Sequence, residues 1–399
     1  MLDIKKVGLK ISSLRRMFGY TQESLADILL ITPQAISKWE NGHTLPETQL
    51  LPVLAQIFEC SVDEIIMPAY SADEIIENEK IKSTEPSIGL SDKNILSAVS
   101  KLDGEIHRDN PVKTDRSINT NITVSTADEK INLLEKVLFG NDIELHRFLL
   151  FSEYNVSIPK VYDINFEKKS LLIESLSENY TAGFDFEKVN PNIEIILKTI
   201  ANMHLTFWDN YEAFGKIGVP WHTDNPNNVK IHLTALENDY KHYKENTILS
   251  SDYIDCYEYA LEDLPSEYKR MLETRIHVGK NITVLHGDLH PGHVFTAKDN
   301  RDIKLIDLEA VRMGICTEDL AMLIALHIEP DVSKSMPLLK YYYSLLNEKV
   351  TDYSFDTFMH DYKVSVMESL FFPIRLFNRG IMDYKMRDKS VIALKTLLK

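Results

Sequence analysis

Two carboxylates in this chain of 399 residues are the groups best placed to do chemistry together. Asp288 lies in His286-Gly-Asp-Leu-His-Pro-Gly-His293, and Asp307 lies in Leu305-Ile-Asp-Leu-Glu309. Each follows an apolar run: Ile282, Val284 and Leu285 before the first, Ile303, Leu305 and Ile306 before the second. Two strand-like segments joined by a short loop would set both acids at one edge. One can then accept a proton from an attacking hydroxyl while the other holds Mg²⁺ on a nucleotide's phosphates. Among the neighbours, His286 is expected to be a packed, hydrogen-bonded loop residue and His290 loop surface. Asp319 is expected to be a structural carboxylate at a helix start.

The elements that must carry these residues follow from the hydrophobic pattern. Residues 8–67 show the spacing of short helices, whereas 71–87 are polar and charged and read as a tether or exposed helix. From about residue 88 the pattern turns to strands. Asn121-Ile-Thr-Val-Ser-Thr-Ala and Ile131-Asn-Leu-Leu read as two strands across a tight turn at 128–130, followed by a helix over 142–153. Strand-like Val161-Tyr-Asp-Ile and Leu171-Leu-Ile-Glu174 come next. After 190 the pattern is helical, apart from the two segments that carry the acids.

Bulk properties narrow the classes. A hydrophobic content of 44% supports a sizeable core. A net charge of −16 argues against non-specific coating of nucleic acid or membrane, though not against a local DNA-reading surface. Cys60, Cys256 and Cys316 are widely spaced and form no C-x-x-C pair, which argues against a disulfide framework or a zinc site and fits a cytoplasmic setting. The first residues lack a signal-peptide pattern, and no apolar run reaches the ~18 residues needed to span a bilayer. No membrane partner is expected.

In the first domain, Thr32-Pro33 is a helix start, a hydroxyl N-cap followed by Pro at the first helical position. Ile36 and Trp39 would face a core, leaving Gln34, Ser37 and Lys38 on the other face. That face suits a major groove, where Gln pairs with adenine and Ser and Lys reach bases or phosphates. Thr21 would cap the preceding helix and Ser61-Val-Asp-Glu64 the last short one. Leu14-Arg15, Tyr20-Thr-Gln-Glu-Ser-Leu-Ala, Gln34-Ala-Ile-Ser-Lys-Trp-Glu-Asn-Gly42 and Ser61-Val-Asp-Glu-Ile together resemble the Cro/repressor class of helix-turn-helix domain. The resemblance implies that Gln22, Gln34, Ser37 and Lys38 touch DNA. It also implies a homodimer, since such proteins commonly read two half-sites. Leu30 stands where the turn usually has Gly. The competing reading is a helical module for protein contacts, because residues 1–70 carry no excess of basic groups.

The 286–309 motif, with Gly314-Ile-Cys-Thr-Glu-Asp-Leu-Ala321 and the Ala201-Asn-Met-His204 segment, resembles the aminoglycoside phosphotransferase and choline kinase family. The resemblance implies a multidomain chain, an all-α helix-turn-helix domain followed by an α+β, two-lobed protein-kinase-like domain. The expected divisions are 1–70, a linker at 71–87, an N-lobe at 88–176 and a mainly helical C-lobe at 177–399. It implies ATP (or GTP) and Mg²⁺ as cofactors, Asp288 as catalytic base and Asp307 as metal ligand. Leu172-Ile-Glu174-Ser175 becomes the hinge whose backbone meets adenine.

Three departures qualify the enzyme. His293 replaces the Asn that would bind a second Mg²⁺; it helps hold the ion, or Asp307 carries it alone. Strand parity puts Glu135 where the phosphate-bridging lysine is needed and turns Lys136 to the other face, unless a bulge restores Lys136 to pair with Glu144. There is no Gly-x-Gly-x-x-Gly; the phosphate loop would be Asp115-Arg-Ser-Ile-Asn-Thr-Asn121. Residues 236–263 mix acids with tyrosines. They form either a surface for a small hydroxylated, cationic substrate or the wet face of helices with half-buried tyrosines. Two functions remain: a DNA-binding protein fused to a small-molecule phosphotransferase, or a non-enzymatic transcriptional regulator whose kinase-like body senses a nucleotide or small ligand.

Overall fold

The computed structural model describes residues 4–17, 22–29, 31–58, 62–66, 89–101, 103–114, 116–139, 142–154, 156–183, 193–217, 225–381 and 383–399. Thr21, Leu30, Ser61, Asp115 and the segment 71–87 lie outside these residues, as does Cys60.

The N-terminal helices are α1 (Ile4–Met17), α2 (Gln22–Leu29), α3 (Pro33–Glu40), α4 (Leu51–Ile57) and α5 (Val62–Ile66). Val7, Ile11 and Leu14 recur at helical spacing and meet Leu25, Ile28, Ile36, Trp39, Leu54 and Phe58 in one core. Thr32 caps α3 as expected, its Oγ1 accepting from Ala35 N at 3.3 Å. An ion pair fastens α1 to α3: Arg15 Nη2 donates to Glu40 Oε2 at 3.0 Å, and both side chains are buried.

The next layer is a six-stranded antiparallel sheet in the order β1 (Glu105–Arg108), β3 (Ser117–Ser125), β4 (Lys130–Leu138), β6 (Ser170–Glu174), β5 (Val161–Asn165), with β2 (Val112–Lys113) paired to β3. Both faces of β4 are covered. Helix α6 (Asp92–Ala98) covers one, where Leu90, Ile95 and Val99 pack on Ile122, Val124, Leu133 and Leu172. Helix α7 (Ile143–Glu153) covers the other, where Leu145 and Phe148 pack on Leu138, Leu171 and Ile173. A two-sided strand carries no simple alternation of apolar and polar residues.

The larger lobe is helical, built on α8 (Ile193–Thr206), α9 (Tyr211–Ile217), α10 (Pro226–Asn246) and α11 (Ser251–Met271), with further helices after residue 316. Its core is continuous with the α7 face of the sheet. Burying each of its Leu, Ile or Phe side chains stabilises the fold by roughly 1.5–3 kcal/mol. Tyr240, Tyr243 and Tyr257 belong to this core, and Tyr240 stacks on Tyr257 with ring centroids 5.1 Å apart. Tyr253 and Tyr259 donate their hydroxyls to Asp388 and Asp263. The tyrosines of 236–263 are therefore packing residues, and the rings of Tyr240, Tyr253 and Tyr259 already carry the protein's own cations, Lys244, Arg387 and Lys363. One residue of α10 leaves this lobe: Ile231 is buried in the core of the N-terminal helices.

Candidate active site and DNA-facing helix

The two acids meet at one place, both against His293, but the expectation of two strand-like segments joined by a short loop is corrected. Strand β8 (Thr283–Leu285), before Asp288, pairs with β11 (Arg312–Gly314). Strand β10 (Ile303–Leu305), before Asp307, pairs with β9 (Val294–Ala297), whose other neighbour is β7 (Tyr180–Ala182). The loop thus contains a strand of its own. The turn that makes the β9–β10 hairpin is Asp299-Asn300, with Asn300 left-handed at φ 56°, a turn signal legible in the sequence.

The loop after β8 is held from below by Asp319, at the start of α12 (Thr317–Leu320). Its Oδ2 accepts from His286 N at 2.8 Å and faces His204 Nε2 at 3.1 Å, while Oδ1 accepts from Gly287 N at 3.0 Å. Burial pushes the Asp319 carboxyl up, but its bonds with His204 and the nearby imidazoles outweigh this and hold it below the usual range. Gly287 has φ 80°, and a Cβ there would come within 2.1 Å of Ala310 O, so no other residue fits. His286 is fully buried, with Nε2 at 2.8 Å from Ile306 O. Both His286 and Asp319 have the structural places expected for them.

His293 joins the two acids. Its Nδ1 lies 2.9 Å from Asp288 O and 3.6 Å from Asp288 Oδ2, and its Nε2 lies 3.3 Å from Asp307 Oδ2. Asp307 itself is left-handed at φ 60°, a strained conformation for a non-glycine residue. The His293 hydrogen bond draws the Asp307 carboxyl down to about 2, with Lys136 adding to the effect. His290 is not plain loop surface. Its Nε2 lies 4.0 Å from Asp288 Oδ2, and its ring centroid lies 3.8 Å from that of His293.

On the opposite wall, Lys136 faces the cleft without any bulge in β4, whose pairings to β3 and β6 run in unbroken register. Lys136 Nζ is 2.6 Å from Glu144 Oε2 on α7. Glu135 points the other way, where its carboxylate takes the Leu90 amide and Arg108 lies at 3.3 Å. The parity expectation is thereby reversed. Leu133 belongs to the α6 face and Leu134 to the α7 face, so counting from the pair cannot say which side the cleft is on. Burial pushes the Glu144 carboxyl up, while Lys136 opposes this.

The expected phosphate loop is mostly strand. Residues 117–121 belong to β3, with Asn119 opposite Lys136 and Asn121 opposite Leu134, so both asparagines share the cleft side of the sheet. Arg116, just before β3, pairs with Glu309, two residues beyond Asp307. That link between the lobes was not singled out from sequence; only the acid at 309 could have signalled it. At the hinge, the amides of Glu174 and Ser175 donate to Lys160 O and Asn132 O at 2.8 and 3.0 Å. The Glu174 carboxylate accepts from Lys160 N. A purine edge would have to be met by the rest of that segment.

On α3, Gln34 and Lys38 are exposed and Ser37 is partly so, opposite buried Ile36 and Trp39. Gln22 is less free, its Nε2 donating to Glu40 Oε2 at 2.8 Å.

Comparison with known proteins agrees with this two-part architecture. The helix-turn-helix family matches residues 11–65, and the phosphotransferase enzyme family matches residues 228–342. The chain is a helix-turn-helix domain joined to a phosphotransferase-family domain. The helix-turn-helix domain is 36% identical over 67 residues to the HTH-type transcriptional activator BcrR of Enterococcus faecalis, covering 17% of this chain and 31% of BcrR. It is 33% identical over 61 residues to the uncharacterized HTH-type transcriptional regulator YazB of Bacillus subtilis, covering 15% of this chain and 88% of YazB. The chain therefore spans about a third of BcrR. The choline kinase LicA from Streptococcus pneumoniae has a similar structure, with 15% identity, a TM-score of 0.43, and coverage of 77% of this chain and 97% of LicA. The phosphotransferase-family match includes Asp288, His293 and Asp307 but not Lys136 or Glu144. Among the described residues, no helix is long and apolar enough to cross a membrane.

Proposed function

We propose that the phosphotransferase-family domain transfers the γ-phosphoryl group of ATP to a hydroxyl of a small molecule, and that the helix-turn-helix domain binds DNA. The observation that carries the first half is the convergence on one cleft of Lys136 paired to Glu144, the Asp288 carboxylate and the depressed Asp307 carboxylate. Phosphoryl transfer needs mainly positioning and charge neutralisation, and these side chains are the minimum set for it. Asp288 would take the substrate proton, Lys136 would meet the phosphates, and Asn121 and the segment at Glu174 would line the nucleotide. Asp307 fits Mg²⁺, offering a hard oxygen, whereas the imidazole of His293 fits it poorly. Held by Asp307, the ion would neutralise phosphate charge. The divisions proposed are 1–70, 71–87, 88–176 and 177–399.

Titrating ATP with Mg²⁺ by calorimetry tests this on the full chain. Wild type is expected to bind saturably, and Asp307→Ala to lose about tenfold or more in metal-dependent affinity, at least ~1.4 kcal/mol. Absence of nucleotide binding by wild type removes the transferase.

A regulator that senses its ligand is the second reading, and one observation favours it: Ile231 of α10 is built into the core of the helix-turn-helix domain. A ligand that shifts α10 would then bias DNA affinity, provided it binds the two states unequally. Gel shifts on DNA flanking the protein's own gene address both points. Lys38→Ala is expected to weaken binding, Lys38 being exposed on the face that would meet bases or phosphates. Equal, sequence-independent binding by wild type and variant would refute DNA reading by α3, and equal shifts with and without ATP would refute the sensor.

A further inference from the structure

The transfer proposed above gives no task to the ion pair between Arg116 and Glu309, which joins the two lobes at one end of the cleft. Sheet register places that end. Leu133 of β4 stands opposite Glu174 at the hinge, and Lys136 lies three residues farther along the strand. Phe139, three residues farther again, donates its amide to Arg116 O at 2.7 Å. At about 3.3 Å per residue, Lys136 and Arg116 stand roughly 10 and 20 Å from the hinge in one direction. The Arg116 guanidinium meets Glu309, two residues past Asp307. Burial is the main cause that pushes the Glu144 carboxyl up, against Lys136, and Glu309 and Asp307 add to it, so the three acids share one neighbourhood. A nucleotide with its base at the hinge and its phosphates passing Lys136 carries its last phosphate toward Arg116.

We infer that Arg116 binds the terminal phosphate of the nucleotide, exchanging Glu309 for the phosphate oxygens. Such a role rests on the phosphotransferase reading and adds to it the side chain that holds the last phosphate. Residues 109–117 contain no glycine, so this backbone cannot approach phosphates as a glycine-rich turn does, and a long side chain covers the distance. The backbone under that side chain is fixed, because Thr114 Oγ1 accepts from the amides of Arg116 and Ser117 at 3.3 and 3.0 Å. The side chain itself is 73% exposed, and exposed ion pairs are weak and screened by salt, so the guanidinium can change partner. A phosphate offers its planar fork two parallel charge-assisted bonds. Glu309, once released, stands near the phosphates with the same sign of charge, so it opposes nucleotide binding.

Calorimetric titration of the full chain with ATP and, separately, with ADP, at saturating Mg²⁺, tests this. Arg116→Ala is expected to weaken ATP binding by about tenfold or more and ADP binding by less than about threefold. Arg116→Lys keeps the charge but not the fork, and should fall between wild type and the alanine variant. Glu309→Gln frees the guanidinium and removes the repelling charge, and should tighten ATP by about threefold or more. Arg301→Ala serves as the control, its side chain being 86% exposed between β9 and β10, and should change neither affinity. Equal losses of ATP and ADP in Arg116→Ala, or no loss of either, overturn the assignment. ATP binding that Glu309→Gln leaves equal or weaker overturns the exchange of partners. If wild type binds neither nucleotide, the phosphotransferase reading falls together with this role, and the Arg116–Glu309 pair remains a strut between the lobes. If wild type binds both and Arg116→Ala changes nothing, Arg116 alone loses its role.

Discussion

Asp319→Ala is expected to destabilise the phosphotransferase-family domain by about 3–5 kcal/mol, as when one partner of a buried polar network is removed. Asp319 is 1% exposed, and its two oxygens serve three groups: the amides of His286 and Gly287 and the Nε2 of His204. Alanine takes the partner from all three, of which His286 and His204 are fully buried and Gly287 partly so. The contribution depends on pH in a defined direction. The folded carboxyl is held below its ordinary value, so the stabilisation is complete above the unfolded pKa, near 3.9 for Asp. It is lost as pH falls through the lower folded value. Urea denaturation of wild type and variant at neutral pH, repeated in acid, reads both effects. A difference under about 1 kcal/mol at neutral pH would mean that the loop is held by something else.

Asp288→Asn is expected to lower turnover of a hydroxylated acceptor by about 10²–10⁴-fold, the range for losing a general base, with ATP affinity nearly unchanged. The substitution keeps shape and removes the group proposed to accept the proton. Asp288 directly follows the two amides gripped by Asp319, those of His286 and Gly287, and its backbone carbonyl meets the ring of His293. Asn therefore disturbs the loop little, and a loss of rate reports chemistry, not collapse. Steady-state kinetics on a panel of small hydroxylated molecules would show it. A variant within about threefold of wild-type kcat would remove Asp288 as the base, because a base missing from the transition state must cost more than ~0.7 kcal/mol.

Several elements were legible because local signals agreed with one another. Thr32-Pro33 started α3, and Ile36 and Trp39 faced the core with Gln34 and Lys38 outside. The β3–β4 hairpin, β5, β6 and α7 fell close to their expected places. Cys256 and Cys316 are free and buried. What failed did so where a second surface intervened. Sheet alternation assumes one wet face, but β4 is covered by α6 on one side and α7 on the other, so Leu133 and Leu134 are both core-directed. For the tyrosines of α10 and α11 the sequence left a ligand surface and a helix face with half-buried rings both open; Tyr240, Tyr243 and Tyr257 are buried between helices, and Tyr253 and Tyr259 partly so.

The residue types near Asp288 and Asp307 by themselves pointed to the chemistry proposed for this chain, and the capped, periodic α3 determined that its first domain presents Gln, Ser and Lys outward. Only the tertiary structure decided that Lys136 rather than Glu135 enters the cleft, and that the acids come from two separate strand pairs. It also decided that His293 stands between the acids with His290 against it. The reason is physical: side-chain types and their periods are local properties of the chain. Which face of a doubly covered strand meets a cleft, and which loop residues share a point in space, depend on packing between segments far apart in sequence.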